Sequence, residues 1–177
     1  MNEITKISIA VVGNKNVGKT SIILRYVDNY FYNDTRNIDF DTKNKIITIE
    51  NKRVNLHIFD TFSRPRFNNS CNWAYDKSNG IMIVFDLTNI DSFFGAKILV
   101  EATKLYINKA KDMKIAILVG NKNDLVRKVS KKDAEKLAID NDLHYFEVSA
   151  LNNTSLDDIF DYISTQSFHY SVLNCTF

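Results

Sequence analysis

Two short stretches with no polar residue limit the folds open to this chain: "GIMIVF" at residues 80–85 and "IAILVG" at residues 115–120. A strand with water on one face alternates apolar and polar residues. These runs do not alternate, so both of their faces must be covered, as in the centre of a parallel sheet. They are far too short to cross a bilayer, which takes about 20 apolar residues as a helix. A third run, residues 4–12, is rich in β-branched residues, ends at Gly13 and reads as another buried strand. The segments between such runs have helical length. Residues 19–27, 92–109, 130–139 and 156–168 are expected to be helices, with Ser92 and Ser130 as caps. In the last of them Leu156, Ile159, Phe160 and Ile163 share one face. Residues 46–49 and 54–59 are expected to form a hairpin across "ENKR", and residues 145–148 a short strand. Strands alternating with helices imply one α/β domain over residues 1–177, a mostly parallel sheet with helices on both faces.

Composition narrows the function classes. The chain is 45% hydrophobic and 25% charged, which is globular composition. A net charge of +2 gives no reason to expect a nucleic-acid partner. Two cysteines, Cys71 and Cys175, make no disulfide framework, and a reducing, cytoplasmic setting is expected. The opening "MNEITKISIAVV" carries a lysine inside its apolar run and does not read as a signal peptide.

Three motifs carry chemistry. "GNKNVGKT", residues 13–20, fits G-x-x-x-x-G-K-S/T between a buried strand and a helix. Successive backbone N–H groups there can wrap a phosphate, and the helix N-terminus adds favourable partial charge. Gly13, Asn16, Val17, Gly18 and Ser21 belong to that cradle, Lys19 reaches the β and γ phosphates, and the Thr20 hydroxyl ligates Mg²⁺. "NKND", residues 121–124, follows the strand "IAILVG". The Asp124 carboxylate can accept from the ring N–H and the exocyclic amine of guanine, a pair that adenine lacks. "EVSA", residues 147–150, ends the next strand, where the N–H groups of Ser149 and Ala150 can donate to the guanine O6.

With "DT" at Asp60 and Thr61, these motifs stand in the order and spacing of the Ras superfamily of small GTPases, which the chain resembles from about residue 4 to residue 168. "DTRNIDF", "VNLHIFDT" and "VFDLTNIDSF" point to its Rab branch. The resemblance implies a P-loop NTPase three-layer sandwich with a six-stranded sheet, GTP and GDP with Mg²⁺ as cofactors, and slow GTP hydrolysis in a trafficking-type switch. It implies that Asp60 holds Mg²⁺ through water, with Thr35 as a further ligand, and that Asn121 ties the base loop to the phosphate loop. It also implies that Lys122, Leu125 and Leu151 lie around the base. Phe31 either covers the base or is a core aromatic. Effectors and regulators would dock on residues 31–40 and 60–75, and the protein would sit peripherally on endomembranes.

The chain departs from that pattern where hydrolysis is controlled. The family usually reads D-T-A-G-Q-E-R-F; here residues 60–67 read "DTFSRPRF". Arg64 stands in place of the glutamine that orients the attacking water, and a guanidinium has no acceptor for it. Ser63 lacks glycine's freedom, and Pro65 stiffens the loop. This is either a rebuilt switch or a surface loop that has drifted. Lys15 either lies beside the γ-phosphate or points into solvent. The stretch from Phe31 to Thr35 is shorter than usual, Phe59 replaces a tryptophan, Ala74 a tyrosine and Leu151 a lysine. Cys175 is third from the end, where a prenylation signal needs it fourth, so membrane association is expected only through a tail or partner not evident in the chain. The rival reading is a module that does not cycle and presents one fixed surface to a partner.

Overall fold

The computed structural model describes residues 4–34, 42–61, 70–109 and 115–174. The first strand, β1 (Thr5–Gly13), leads into α1 (Lys19–Asp28). A hairpin follows, β2 (Thr42–Ile49) and β3 (Lys52–Asp60), and then a short helix, α2 (Ser70–Lys77). The remaining elements are β4 (Gly80–Asp86), α3 (Ile90–Lys109), β5 (Ile115–Asn121), α4 (Lys131–Ile139), β6 (His144–Glu147) and α5 (Leu156–Asn174). The six strands form one sheet in the order β2-β3-β1-β4-β5-β6, antiparallel only between β2 and β3.

The apolar runs explain this arrangement. Every residue of β4 is buried, and all of β5 but its first residue. On β1 the side chains alternate between two cores. Ile7, Ile9 and Val11 join Ile22 and Ile23 of α1 and Ile159, Phe160 and Ile163 of α5. Ala10 and Val12 join Tyr75 of α2, Phe93 of α3 and Ala134 of α4. Helices thus cover both faces, as an all-parallel core requires. After β1 the chain crosses to one side of the sheet, and after β3 it crosses to the other. The C-terminal end of β1 is therefore the point of strand-order reversal, where open α/β sheets form their crevice.

Four local expectations are corrected. The hairpin turn is two residues, Glu50 and Asn51, both in the left-handed region (φ 49° and 62°), and β2 starts at Thr42. That conformation matches the twist of the paired strands, which a looser four-residue loop does not require. Ser92 lies inside α3. The cap is Asn89, whose Oδ1 accepts from the N–H groups of Asp91 and Ser92. The Ser92 hydroxyl accepts instead from the Asp86 N–H at 2.9 Å, tying the helix to the end of β4. Helix α5 continues to Asn174, and α2 has no counterpart in the sequence reading. Ser130 does cap α4, accepting from the Asp133 N–H.

Phe160 is fully buried and stacks on Tyr26 with ring centres 3.8 Å apart, joining α5 to α1. Phe160→Ala should cost about 3–5 kcal/mol of stability, read as a lower urea midpoint at unchanged slope.

Candidate functional site

The loop after β1 is held from both ends. A Cβ on Gly13 would lie 2.3 Å from the Val84 carbonyl oxygen, and one on Gly18 would lie 2.2 Å from Asn121 Nδ2. Gly18 is also left-handed (φ 96°) and precedes α1 with no side-chain cap, so the first N–H groups of the helix face the loop. Asn16 is left-handed as well (φ 66°), and Val17 is sunk into the core, leaving its backbone to the loop. Lys19 is buried, and its ammonium donates to the carbonyls of Gly13 (2.8 Å) and Asn14 (2.9 Å), which puts the charge inside the loop. Ser21 is half-buried in the first turn of α1, and Lys15 is exposed at the loop tip.

One strand away, the parallel register pairs Val11 with Asp60. The Thr20 hydroxyl donates to Asp60 Oδ2 at 2.5 Å, and these residues are only 7% and 6% exposed. Thr61 donates from both its hydroxyl and its N–H to the Val11 carbonyl, which fixes the start of the next segment.

On the other side, Asp86 and Asn121 are paired at the ends of β4 and β5. Asn121 is 2% exposed and joins three loops. Its Nδ2 donates to the Val17 carbonyl (2.9 Å), and its Oδ1 accepts from the Ala150 N–H (3.3 Å). Lys122, left-handed at φ 66°, donates to the Asn16 carbonyl (3.0 Å) and pairs with Asp86 (2.6 Å). The fully buried Ser149 donates its hydroxyl to Asp124 Oδ1 at 2.5 Å. Behind this pair Arg127 grips Glu147 with two N–H groups (3.0 and 2.6 Å), and the Tyr145 hydroxyl donates to the same carboxylate. Leu125 and Leu151 are exposed at the rim. Phe31 is half-buried against the α1–α5 core. A loop wrapped around a buried lysine, a buried pair of oxygen-bearing side chains and an oriented carboxylate therefore share one edge of the sheet.

A Ras family profile matches residues 8–169. The chain belongs to the Ras family. GTP-binding protein YPT1 of Saccharomyces cerevisiae is 36% identical over 155 residues, which is 86% of this chain and 74% of the relative. Ras-related protein RabC of Dictyostelium discoideum is 36% identical over 170 residues, 91% of this chain and 83% of the relative. GTP-binding protein Rab-3D of Rattus norvegicus is 34% identical over 158 residues, 86% and 70%. The chain is thus a Rab-like small GTPase, and among its described residues no helix is long and apolar enough to cross a membrane.

Within this Ras-family site, several residues escaped the sequence reading. The Ser149 and Ala150 N–H groups, expected to face a base oxygen, donate to Thr154 O and Asn121 Oδ1, each at 3.3 Å. The Ser149 hydroxyl, Arg25, Arg127 and Asp86 were not singled out. Only Asp86 had a signal, since like Asn121 it directly ends an apolar run. Thr35 and Arg64 lie outside the described residues, as do Ser63 and Pro65. Phe59 and Ala74 are buried.

Burial pushes the Glu147 carboxyl up, but the hydrogen bonds from Arg127 and Tyr145 and the nearby positive charge outweigh it and hold it below its ordinary 4.5. A depressed carboxyl adds stability above its unfolded value and loses it as pH falls through the folded one. Thermal unfolding should therefore show a fall in stability below about pH 4.5, and Glu147→Gln should flatten that slope. Asn121→Ala leaves the Val17 carbonyl and the Ala150 N–H unpaired and should cost roughly 2 kcal/mol or more in urea unfolding.

Proposed function

We propose that residues 1–177 act as one G domain that binds GTP and GDP with Mg²⁺ and hydrolyses GTP slowly, as a switch of the vesicle-trafficking type. The observation that carries this reading is the Asp124 carboxylate, oriented by Ser149 and joined through Asn121 to the phosphate loop. In this reading Asp124 accepts from the guanine ring N–H and the exocyclic amine, and the Ser149 hydroxyl keeps its carboxylate edge turned to them. The Ala150 N–H, now on Asn121, exchanges that 3.3 Å bond for the guanine O6. The stem of Lys122 covers one face of the base, its ammonium held by Asp86 and the Asn16 carbonyl, while Phe31, Leu125 and Leu151 border the rest.

The backbone of Gly13, Asn16, Val17, Gly18 and Ser21 cradles the phosphates, and Lys19 turns from loop carbonyls to phosphate oxygens. Thr20 and Asp60 are adjacent, buried oxygen donors, which suits a hard divalent cation. They would hold Mg²⁺, Asp60 through water, with Thr35 supplied by the first switch. Bound Mg²⁺ supplies charge neutralisation at the transferred phosphate. Arg64 offers donors to that phosphate but no lone pair to the attacking water, so the chemical step is slow. Lys15, exposed at the loop tip, adds a cation near the γ-phosphate and obstructs an arginine from an activating protein. Effectors and regulators dock on residues 31–40 and 60–75, on a protein held peripherally at endomembranes.

One observation favours a second reading, a module that does not cycle: Ser63, Arg64 and Pro65 replace the switch residues that respond to the γ-phosphate. Single-turnover conversion of loaded GTP separates the two. Slow formation of GDP supports the switch, whereas GTP that persists, or fails to load, supports the fixed module. Asp124→Asn should weaken GDP binding at least tenfold, since roughly 1.5–3 kcal/mol rests on each bond to the carboxylate. Arg64→Gln should raise the single-turnover rate, and an unchanged rate would move the block to Lys15 or the short first switch.

A further inference from the structure

Arg25, in the last turn of α1, spends its guanidinium on the base loop from behind. Nε donates to the Ala150 carbonyl (3.0 Å) and Nη2 to the Leu151 carbonyl (2.6 Å), across 125 and 126 residues of chain. Nη1 reaches the Asn29 carbonyl at 3.4 Å, where α1 ends in a left-handed residue. The same guanidinium stands 5.9 Å from the centre of the Phe31 ring. A planar fork with five donors can serve three carbonyls at once, and a lysine ammonium cannot match that spacing.

We propose that Arg25 is a positioning residue for recognition of the purine 6-position, and that it couples the base loop to the start of the first switch. Residues 151–154 of the loop it grips are exposed, and the loop is otherwise fixed by the buried Ala150 side chain, the Ser149–Thr154 backbone bridge, the bond from the Asn152 N–H to the Ser149 hydroxyl (3.0 Å) and the long bond from Ala150 to Asn121. Arg25 therefore sets where the Ala150 N–H points. Asp124 is held by a different group of that loop, the Ser149 hydroxyl, which also accepts from the Asn152 N–H, so the two edges of the base are read by groups with different immediate supports. Because Phe31 packs beside the same guanidinium, a shift of residues 31–34 is felt at Ala150 without passing through the phosphate loop.

The proposal rests on the guanine reading above, and the test separates the two. The full chain, its Arg25→Lys and Arg25→Ala variants, and Lys45→Ala as a control are compared for GDP, 6-thio-GDP and inosine diphosphate binding. Lys45, on β2, donates to the carbonyl of Tyr26, the next residue of α1, and its ammonium lies over the Tyr26 ring. The sulfur analogue weakens the acceptor at position 6, and inosine removes the amine that Asp124 reads. Both Arg25 variants should narrow the preference for GDP over 6-thio-GDP by about threefold to tenfold, the scale of one neutral hydrogen bond. They should also speed GDP release, and leave the preference for GDP over inosine diphosphate as in the unmodified chain. Arg25→Lys carries the comparison if Arg25→Ala does not fold. The proposal is overturned if the sulfur preference is unchanged, if both preferences fall together, or if Lys45→Ala does the same. Failure of the unmodified chain to bind GDP would sink the guanine reading and this proposal with it, whereas unchanged preferences in the variants alone leave the guanine reading intact.

Discussion

A single buried carboxamide, that of Asn121, connects the loops after β1, β5 and β6. Its Nδ2 and Oδ1 meet the Val17 carbonyl and the Ala150 N–H, and Gly18 lies so close to Nδ2 that no side chain fits there. A carboxamide can do this because it donates from one end and accepts at the other. An aspartate would offer only acceptors, and one of them would face a carbonyl. The spacing between the phosphate-binding and base-binding halves of the site is thus set by a rigid group about the length of one amide. Everything else at the edge is arranged around that distance.

The cations near this edge are held mainly by neutral backbone carbonyls. Lys19 rests on the carbonyls of Gly13 and Asn14 and Arg25 on those of Ala150, Leu151 and Asn29, while Lys122 adds a carboxylate, Asp86. Carbonyl dipoles hold a cation in place without cancelling its charge. The phosphate side therefore keeps positive potential, while the carboxylates Asp60, Asp86 and Asp124 each already have an assigned donor. That division suits a ligand with an anionic end and a neutral base whose donors need a carboxylate.

Much of this was legible in the chain. The runs at 80–85 and 115–120 demanded a sheet covered on both faces, and two of the three motifs sit directly after apolar runs, residues 13–20 after 4–12 and residues 121–124 after 115–120, so those strand ends and loops could be placed together. Legibility failed where neighbours in space decide. Ser92 has the chemistry of a cap, yet Asn89 takes that place because the Ser92 hydroxyl is claimed by the end of β4. "ENKR" is polar throughout, so its composition could not show that two residues turn and two pair. Helix α2 is eight residues long, too short for an apolar period to stand out, and its Ala74 and Tyr75 fill a core.

The sequence alone determined the class of fold, the order of the loops and the residue types that meet a phosphate and a base, because these rest on local patterns: apolar runs, glycines and short motifs. Tertiary structure decided which partner each polar group takes. The Ser149 hydroxyl on Asp124, the Arg25 fork on the base loop and the Asp86–Lys122 pair join residues 25 to 126 positions apart. Parallel register brings such residues to one edge, and hydrogen-bond geometry, which has no signature along the chain, selects among the donors that arrive there.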